Sequence, residues 1–511
     1  MKYLLSLLVL FGLLACEAES DPDNAGGSSN NCPNVGDLTV EKSSGLGTSG
    51  RCLISGTLTQ TATLNASTQW HLNGPLIIGD GSSSPILTIE AGVEVFAGAD
   101  GANLDYIYIA PGASINAIGS VNDPIILSSD DEDYEGSGEW GGLIIEDTAA
   151  TSGQVRLEHL VVTEAGGEVV IGNNSYADNI VLEGVHDDTF LQFIQSHDSA
   201  RDGIRLQSSE STANQARLSW LLITGANRDG LSYNHFSGLV KDLLVIHRPS
   251  LYDGVNGGRA GIYAANSDSQ PLFVNVTLVG RDPTSNNSIS TEEREVGVIF
   301  AENSSQFRMA NTLILNFRNG CYEVDATSDL SIVSLSSADL TQSFMGGVHC
   351  GHENSGLAGN IFVPFLLRSG AENFSDTVLN DGIQFYGSTA FNFYGETNPS
   401  TAITSTWYLI SIGGLLNDLV VNTSNTLDAF ANGDTNGDST VNADDVDFQP
   451  LLNEAAPFFG SVTGSAVTSQ GYDLTNVGVI RNESSELANQ FDGWTLQAGG
   501  VFPQEVTGFA P

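Results

Sequence analysis

Positive charge is what this chain of 511 residues has least of: 17 Lys and Arg stand against 61 Asp and Glu, a net charge of −44. Only Lys2, Lys42 and Lys241 are lysines. So acidic a surface repels phosphate backbones and anionic lipid headgroups, which excludes nucleic acid as a partner. Cysteine is scarce as well, five residues without a C-x-x-C spacing, which argues against a zinc site or a dithiol redox motif. Beyond the first fifteen residues no apolar run reaches the ~20 residues that a membrane-spanning helix needs. Helical periodicity is rare throughout. Glycine, at 57 residues, is abundant, and Ser, Thr, Asn and Asp recur between short apolar runs. That pattern is turn chemistry repeated many times over, and it predicts an all-β chain of many short strands.

The N-terminus has its own logic. Met1-Lys2 and a short apolar run make residues 1–15 a signal peptide, too short to stay in a membrane as a helix. The run ends in Leu13-Leu14-Ala15-Cys16, which resembles the bacterial lipobox. That resemblance implies a diacylglycerol on Cys16 and anchorage in a membrane, and Glu17 fits delivery to the outer membrane. Residues 16–31 read as an acidic tether, similar to the surface-export signal of some bacterial lipoproteins. With Cys16 lipidated, Cys32, Cys52, Cys321 and Cys350 remain, an even number suited to an oxidising compartment. Three pairings are open; Cys32–Cys52 with Cys321–Cys350 closes the shortest loops and is favoured.

From Leu87 to Ser128 the text nearly repeats itself. Ile89-Glu90-Ala91-Gly92-Val93 aligns with Ile109-Ala110-Pro111-Gly112-Ala113, which sets Gly92 and Gly112 twenty residues apart. A strand–turn–strand unit this small cannot bury its own apolar face, so copies must stack into a solenoid. The expected fold is a right-handed parallel β-helix, with Ile89 and Ile109 on neighbouring rungs. A second echo sets Arg201-Asp202-Gly203-Ile204 against Arg228-Asp229-Gly230-Leu231 at an offset of 27. It predicts that the two turns lie on the same side of adjacent coils. Residues 32–86 are expected to form an N-terminal cap and first coil, 87–430 the β-helix, 431–456 a short helical calcium-loop insertion, and 457–511 a segment packing on the helix.

Taken as an ordered series, LTIEAG, IYIAPGASINAIGS, NDPIILSS, WGGLII, the RDG turns, VNVTLVG and NVGVIRNES…FDGWTL resemble bacterial β-helix lipoproteins of pectate-lyase-like fold. The resemblance implies that fold and brings no established substrate. Where such relatives pair acids at the turn, this chain has Arg-Asp.

Several constellations carry candidate chemistry. Asp434, Asn436, Asp438, Thr440, Asn442 and Asp445 stand at positions 1, 3, 5, 7, 9 and 12 of a twelve-residue loop. That is the spacing of an EF-hand calcium site, and the following VDFQPLL resembles a dockerin repeat, although Ser439 replaces the turn glycine. The expected cofactor is therefore Ca²⁺. Asp187, Asp188, His197, Asp198, Arg201, Asp202, Arg228 and Asp229 form the best acid–base constellation. Of these, Asp187, Asp188, Asp202 and Asp229 are the catalytic candidates, because a glycosidase needs paired carboxylates of unequal acidity. The competing reading is a structural ladder in which each charge pairs with its neighbour one coil away. The chain lacks the NTD, GHG and RIK signatures of polygalacturonases. Asp130, Asp131, Glu132, Asp133 and Glu135 read as a solvated loop. His349 and His352 flank Cys350 and make a weak metal site, and the tryptophans at 70, 140, 220, 407 and 494 read as core or rim residues.

These readings converge on a surface- or periplasm-facing outer-membrane lipoprotein that binds glycan or matrix. The alternative is a polysaccharide lyase or glycoside hydrolase on the same scaffold.

Overall fold

The computed structural model describes residues 32–43, 50–100, 103–130, 136–146, 154–184, 189–207, 216–247, 260–265, 269, 271–280, 296–301, 308–315, 317, 320–324, 344–351, 365–367 and 383–386. Strands of three to nine residues make up one stack in which almost every pairing is parallel. Two ladders organise it. A short-strand ladder runs through Ile107–Ile109, Leu143–Glu146, Ile180–Glu183, Ile204–Gln207, Leu231–Asn234, Ala260–Ala265 and Val296–Phe300. A long-strand ladder runs through Val155–Thr163, Phe190–His197, Arg217–Thr224, Leu239–Ile246, Leu272–Val279, Arg308–Leu315 and Phe344–Gly351.

Alternation along each strand explains the stack, because every second side chain turns inward onto the side chain at the same position one coil away. On the short strands the inward row is Leu76, Ile107, Leu143, Ile180, Ile204, Leu231, Ile262 and Val298, all fully buried. Each such side chain contributes about 1.5–3 kcal/mol of transfer free energy. The row continues through one core cluster from Val35 to Phe317.

Each long strand serves two faces of the coil, and a single residue makes the bend between them. Register runs Glu158↔Gln192↔Ser219, skips one position, and resumes at Leu160↔Ile194↔Leu221. The skipped residues His159, Phe193, Trp220, Asp242 and Asn275 all adopt left-handed backbone, with φ between 47° and 59°. That conformation costs about 1–2 kcal/mol for a non-glycine residue. Stacking between coils offsets part of it. The His159 and Phe193 rings lie 4.4 Å apart, Phe193 and Trp220 6.2 Å apart, and Asn275 Nδ2 donates to Asp242 Oδ1 at 2.8 Å.

At the N-terminal end Thr39–Lys42 lies antiparallel on Cys52–Leu58, and Cys32 is disulfide-bonded to Cys52. Closing a loop of this length stabilises by about 3 kcal/mol in the chain-entropy account. Parallel stacking starts at once, since Cys52–Leu58 pairs with Trp70–Ile78. Cys321 and Cys350 lie in Gly320–Val324 and Phe344–Gly351, strands of different ladders.

One expectation needs correction. Ile89 and Ile109 are not on neighbouring rungs: Ile89 pairs with Leu64 and Ala117, and Ile109 pairs with Ile78 and Ile145. The twenty-residue echo therefore marks two different corners of one winding, each closed by a left-handed glycine, Gly92 and Gly112. Among the described residues there is no helix. Residues 1–31, 431–456 and 457–511, with Cys16 and the candidate calcium ligands, lie outside the described residues.

Candidate functional site

The turn that leads into each short strand places an aspartate at the same point of three successive coils. Because Ile180, Ile204 and Leu231 are in register, Asp178, Asp202 and Asp229 are stacked two positions ahead of them. The carboxylates are 1%, 0% and 2% exposed. The glycine after each of the last two keeps the turn tight. A Cβ on Gly230 would press into Val245 and sit 2.7 Å from the Gly261 carbonyl oxygen.

Burying three carboxylates requires counter-charge and donors, and the chain supplies both. Asp202 accepts two hydrogen bonds of 2.6 Å from Nε and Nη2 of Arg228, and one of 2.6 Å from Ser232 Oγ. Arg228 Nε also lies 3.4 Å from Asp229, whose other oxygen accepts the Ala260 N–H at 2.8 Å. Asp178 accepts the backbone N–H of Asp202 at 2.9 Å and faces Arg205 at 3.5 Å. Arg205 bonds Glu183 at 3.1 Å and Gln207 at 3.2 Å, and its guanidinium stands over the Tyr176 ring at 5.7 Å. Tyr176 belongs to the hairpin Val169–Ile171/Asn174–Tyr176, which lies over Ile144 and Val181 on the outer side of the short-strand ladder. Its hydroxyl donates to Glu183 at 2.9 Å.

Four carboxylates thus share two guanidinium groups, and their titration reflects the shortage. Burial, then the neighbouring Asp202, pushes Asp229 up to about 8. The same two causes push Asp178 up to about 6. Burial alone would lower Arg228, but the charge and hydrogen bonds of Asp202 override it and hold the guanidinium firmly protonated. Carboxyl groups of unequal acidity side by side are the raw material of acid–base catalysis. Here, however, they lie beneath Arg205 and Arg228, which are themselves only 24% and 23% exposed.

Of the residues singled out in the sequence, Asp202, Arg228 and Asp229 are brought together: Asp202 pairs with Arg228 of the coil beside it, and Asp229 with the same guanidinium on its own coil. Asp187 and Asp188 lie outside the described residues. His197 and Asp198 close on each other at 3.5 Å, and His197 Nδ1 lies 2.6 Å from Thr224 Oγ1. Trp70 and Trp140 are buried, each donating its indole N–H to a backbone carbonyl, of Asn65 and Thr163 respectively. Asp130 of the acidic run lies 3.3 Å from His71 Nε2. Sequence reasoning missed Asp178, Glu183, Arg205 and Tyr176. The signal was present in Asp178-Asn179-Ile180, a third copy of the Asp-Gly-Ile turn with asparagine in place of glycine. Among the described residues no three His, Cys, Asp or Glu side chains converge to hold a metal ion.

Compared with known proteins, residues 56–180 match a family model described as a pectate-lyase like beta helix domain. No curated protein and no solved structure matches the chain.

Proposed function

We propose that this chain is an outer-membrane, surface-exposed lipoprotein, anchored through Cys16, whose right-handed β-helix is a binding or adhesion module for glycan or matrix. The observation that carries the reading is the strip on the outer side of the short-strand ladder. Arg205 and Gln207 on one coil stand in register with Ser232 and Asn234 on the next. Polar groups thus recur at the coil spacing of about 4.8 Å. A chain of hydrogen-bonding units laid along the axis meets polar side chains on these two coils and Glu183 on the coil before them, and then Tyr263 and Ala265 on the coil after. The carboxylates that could cleave such a polymer are held beneath the strip in ion pairs, which favours holding over cutting. A right-handed winding agrees with the strong preference of parallel crossovers for that hand. Ca²⁺ held by Asp434, Asn436, Asp438, Thr440, Asn442 and Asp445 would supply a structural brace near the C-terminus.

A lyase or hydrolase on the same scaffold is the second reading. It draws support from the raised pKa values of Asp178 and Asp229 beside Asp202. Incubating the purified chain and Ca²⁺ with a polysaccharide panel separates the two, with retention and newly formed chain ends both measured. Retention without new ends is expected. Ends produced by the parent and lost in Asp202→Asn and Asp229→Asn would favour the enzyme.

A further inference from the structure

Resting on the glycan reading, we infer that the strip over the aspartate column takes neutral, hydroxyl-rich sugar and rejects uronate or sulfated chains. Both of its guanidinium groups are already matched by carboxylates from beneath.

Asp178, Asp202, Asp229 and Glu183 face Arg205 and Arg228, and among the described residues no other guanidinium or ammonium group is seen to pair with those four carboxylates. An arginine recognises an anionic sugar by offering a bidentate fork to its carboxylate or sulfate. The fork of Arg228 is spent, since Nε and Nη2 each reach an oxygen of Asp202 at 2.6 Å. Arg205 is spent as well: Nη2 bonds Glu183 and Gln207, Nη1 faces Asp178, and the Tyr176 ring lies against its plane. A ligand carboxylate placed over the strip would meet two neutralised arginines above a surplus of buried acid. It would also approach a chain of net charge −44. Like charge juxtaposed across an interface costs affinity and slows encounter.

Single hydrogen bonds remain on offer. Nη1 of Arg228 and Nε of Arg205 stand outside the bonds named above. The Gln207 amide accepts from Arg205 through its oxygen, and its NH₂ takes no part in that bond. Asn234, in register with Gln207 one coil on, adds a second partly exposed amide. Hydroxyl groups, which both donate and accept, suit amides and lone N–H groups without any need for net charge.

The test is affinity electrophoresis and titration calorimetry of the full chain with neutral glucan, mannan and xylan, against polygalacturonate and alginate, at low and high salt. At least one neutral polymer should bind about tenfold tighter than either uronate, with little dependence on salt, and Gln207→Ala should weaken it. Glu183→Gln and Asp202→Asn each remove the nearest carboxylate from a guanidinium, leaving only the longer contact to Asp178 or Asp229, and each should raise uronate affinity by about tenfold, the scale of one charge-assisted hydrogen bond. Glu183 lies at the edge of the cluster, so its variant keeps the test decisive if Asp202→Asn fails to fold. Uronate bound more tightly than every neutral polymer, with affinity falling as salt rises, would overturn the inference and leave the glycan reading standing. Retention of none of the polymers would remove the glycan reading, and the inference with it.

Discussion

Asp202 is fully buried and holds Arg228, Ser232 and the turn of the next coil at once. Removing one partner of such a buried pair strands the other. Asp202→Ala should therefore lower unfolding free energy by about 3 kcal/mol, read as a shifted urea midpoint at unchanged slope. Asp229 makes a prediction of a different kind. Its pKa rises from 3.8 in the unfolded chain to about 8. The folded state thus binds this proton more tightly, and the linked stability is complete below pH 3.8 and is lost as pH rises through about 8. His159 works at the other end, because burial lowers it from 6.5 to about 4, so its contribution is lost as pH falls across that interval. Thermal midpoints followed across pH should fall on both sides, and Asp229→Asn should flatten the alkaline side alone. An alkaline limb unchanged in that variant would place the titrating group elsewhere. At this scale the sequence was half legible. The two Arg-Asp-Gly turns stand out by eye, whereas Asn179 hides the third turn, and Arg205 and Tyr176 reach the site from positions with no repeat to flag them.

The two internal echoes in the chain have different physical meanings. The offset of 27 joins equivalent points of adjacent coils, and the register Ile204↔Leu231 and Phe190↔Arg217 follows it. The offset of twenty joins two different corners of one winding, at which the chain happens to repeat the same apolar–glycine–apolar grammar. Coil lengths differ too: Leu143 pairs with Ile180 and Ile180 with Ile204, steps of 37 and 24 residues, so no single period could be read from the text. The corner column from His159 to Asn275 was not legible at all. Left-handed backbone at Phe193 or Trp220 follows from stacking across coils, which local preference does not encode. Gly230 gives the element-scale prediction. Gly230→Ala should cost about 1–3 kcal/mol through the overpacking it forces against Val245 and Gly261. The β-sheet circular dichroism should persist while the thermal midpoint drops. An unmoved midpoint would mean that the coils are not in close contact at that turn.

For the molecule as a whole, stacking explains how the described coils add core without thickening, since each coil needs only its two neighbours. The pectate-lyase like match spans residues 56–180, and the same two ladders continue without a break of register type through Phe344–Gly351. The aspartate column, and with it the proposed binding strip and its proposed glycan preference, depend on which residue stands above which. The most direct test is therefore a pair of engineered cysteines. Gln207→Cys with Asn234→Cys puts thiols on partly exposed, registered positions of adjacent coils, within the reach of a disulfide. Mild oxidation followed by peptide mapping should find the 207–234 crosslink in high yield and no crosslink in a control pair at Thr88 and Tyr108, the positions the twenty-residue echo would align. Crosslinking of the control pair, with 207 and 234 left unlinked, would contradict the stacking on which the account is built.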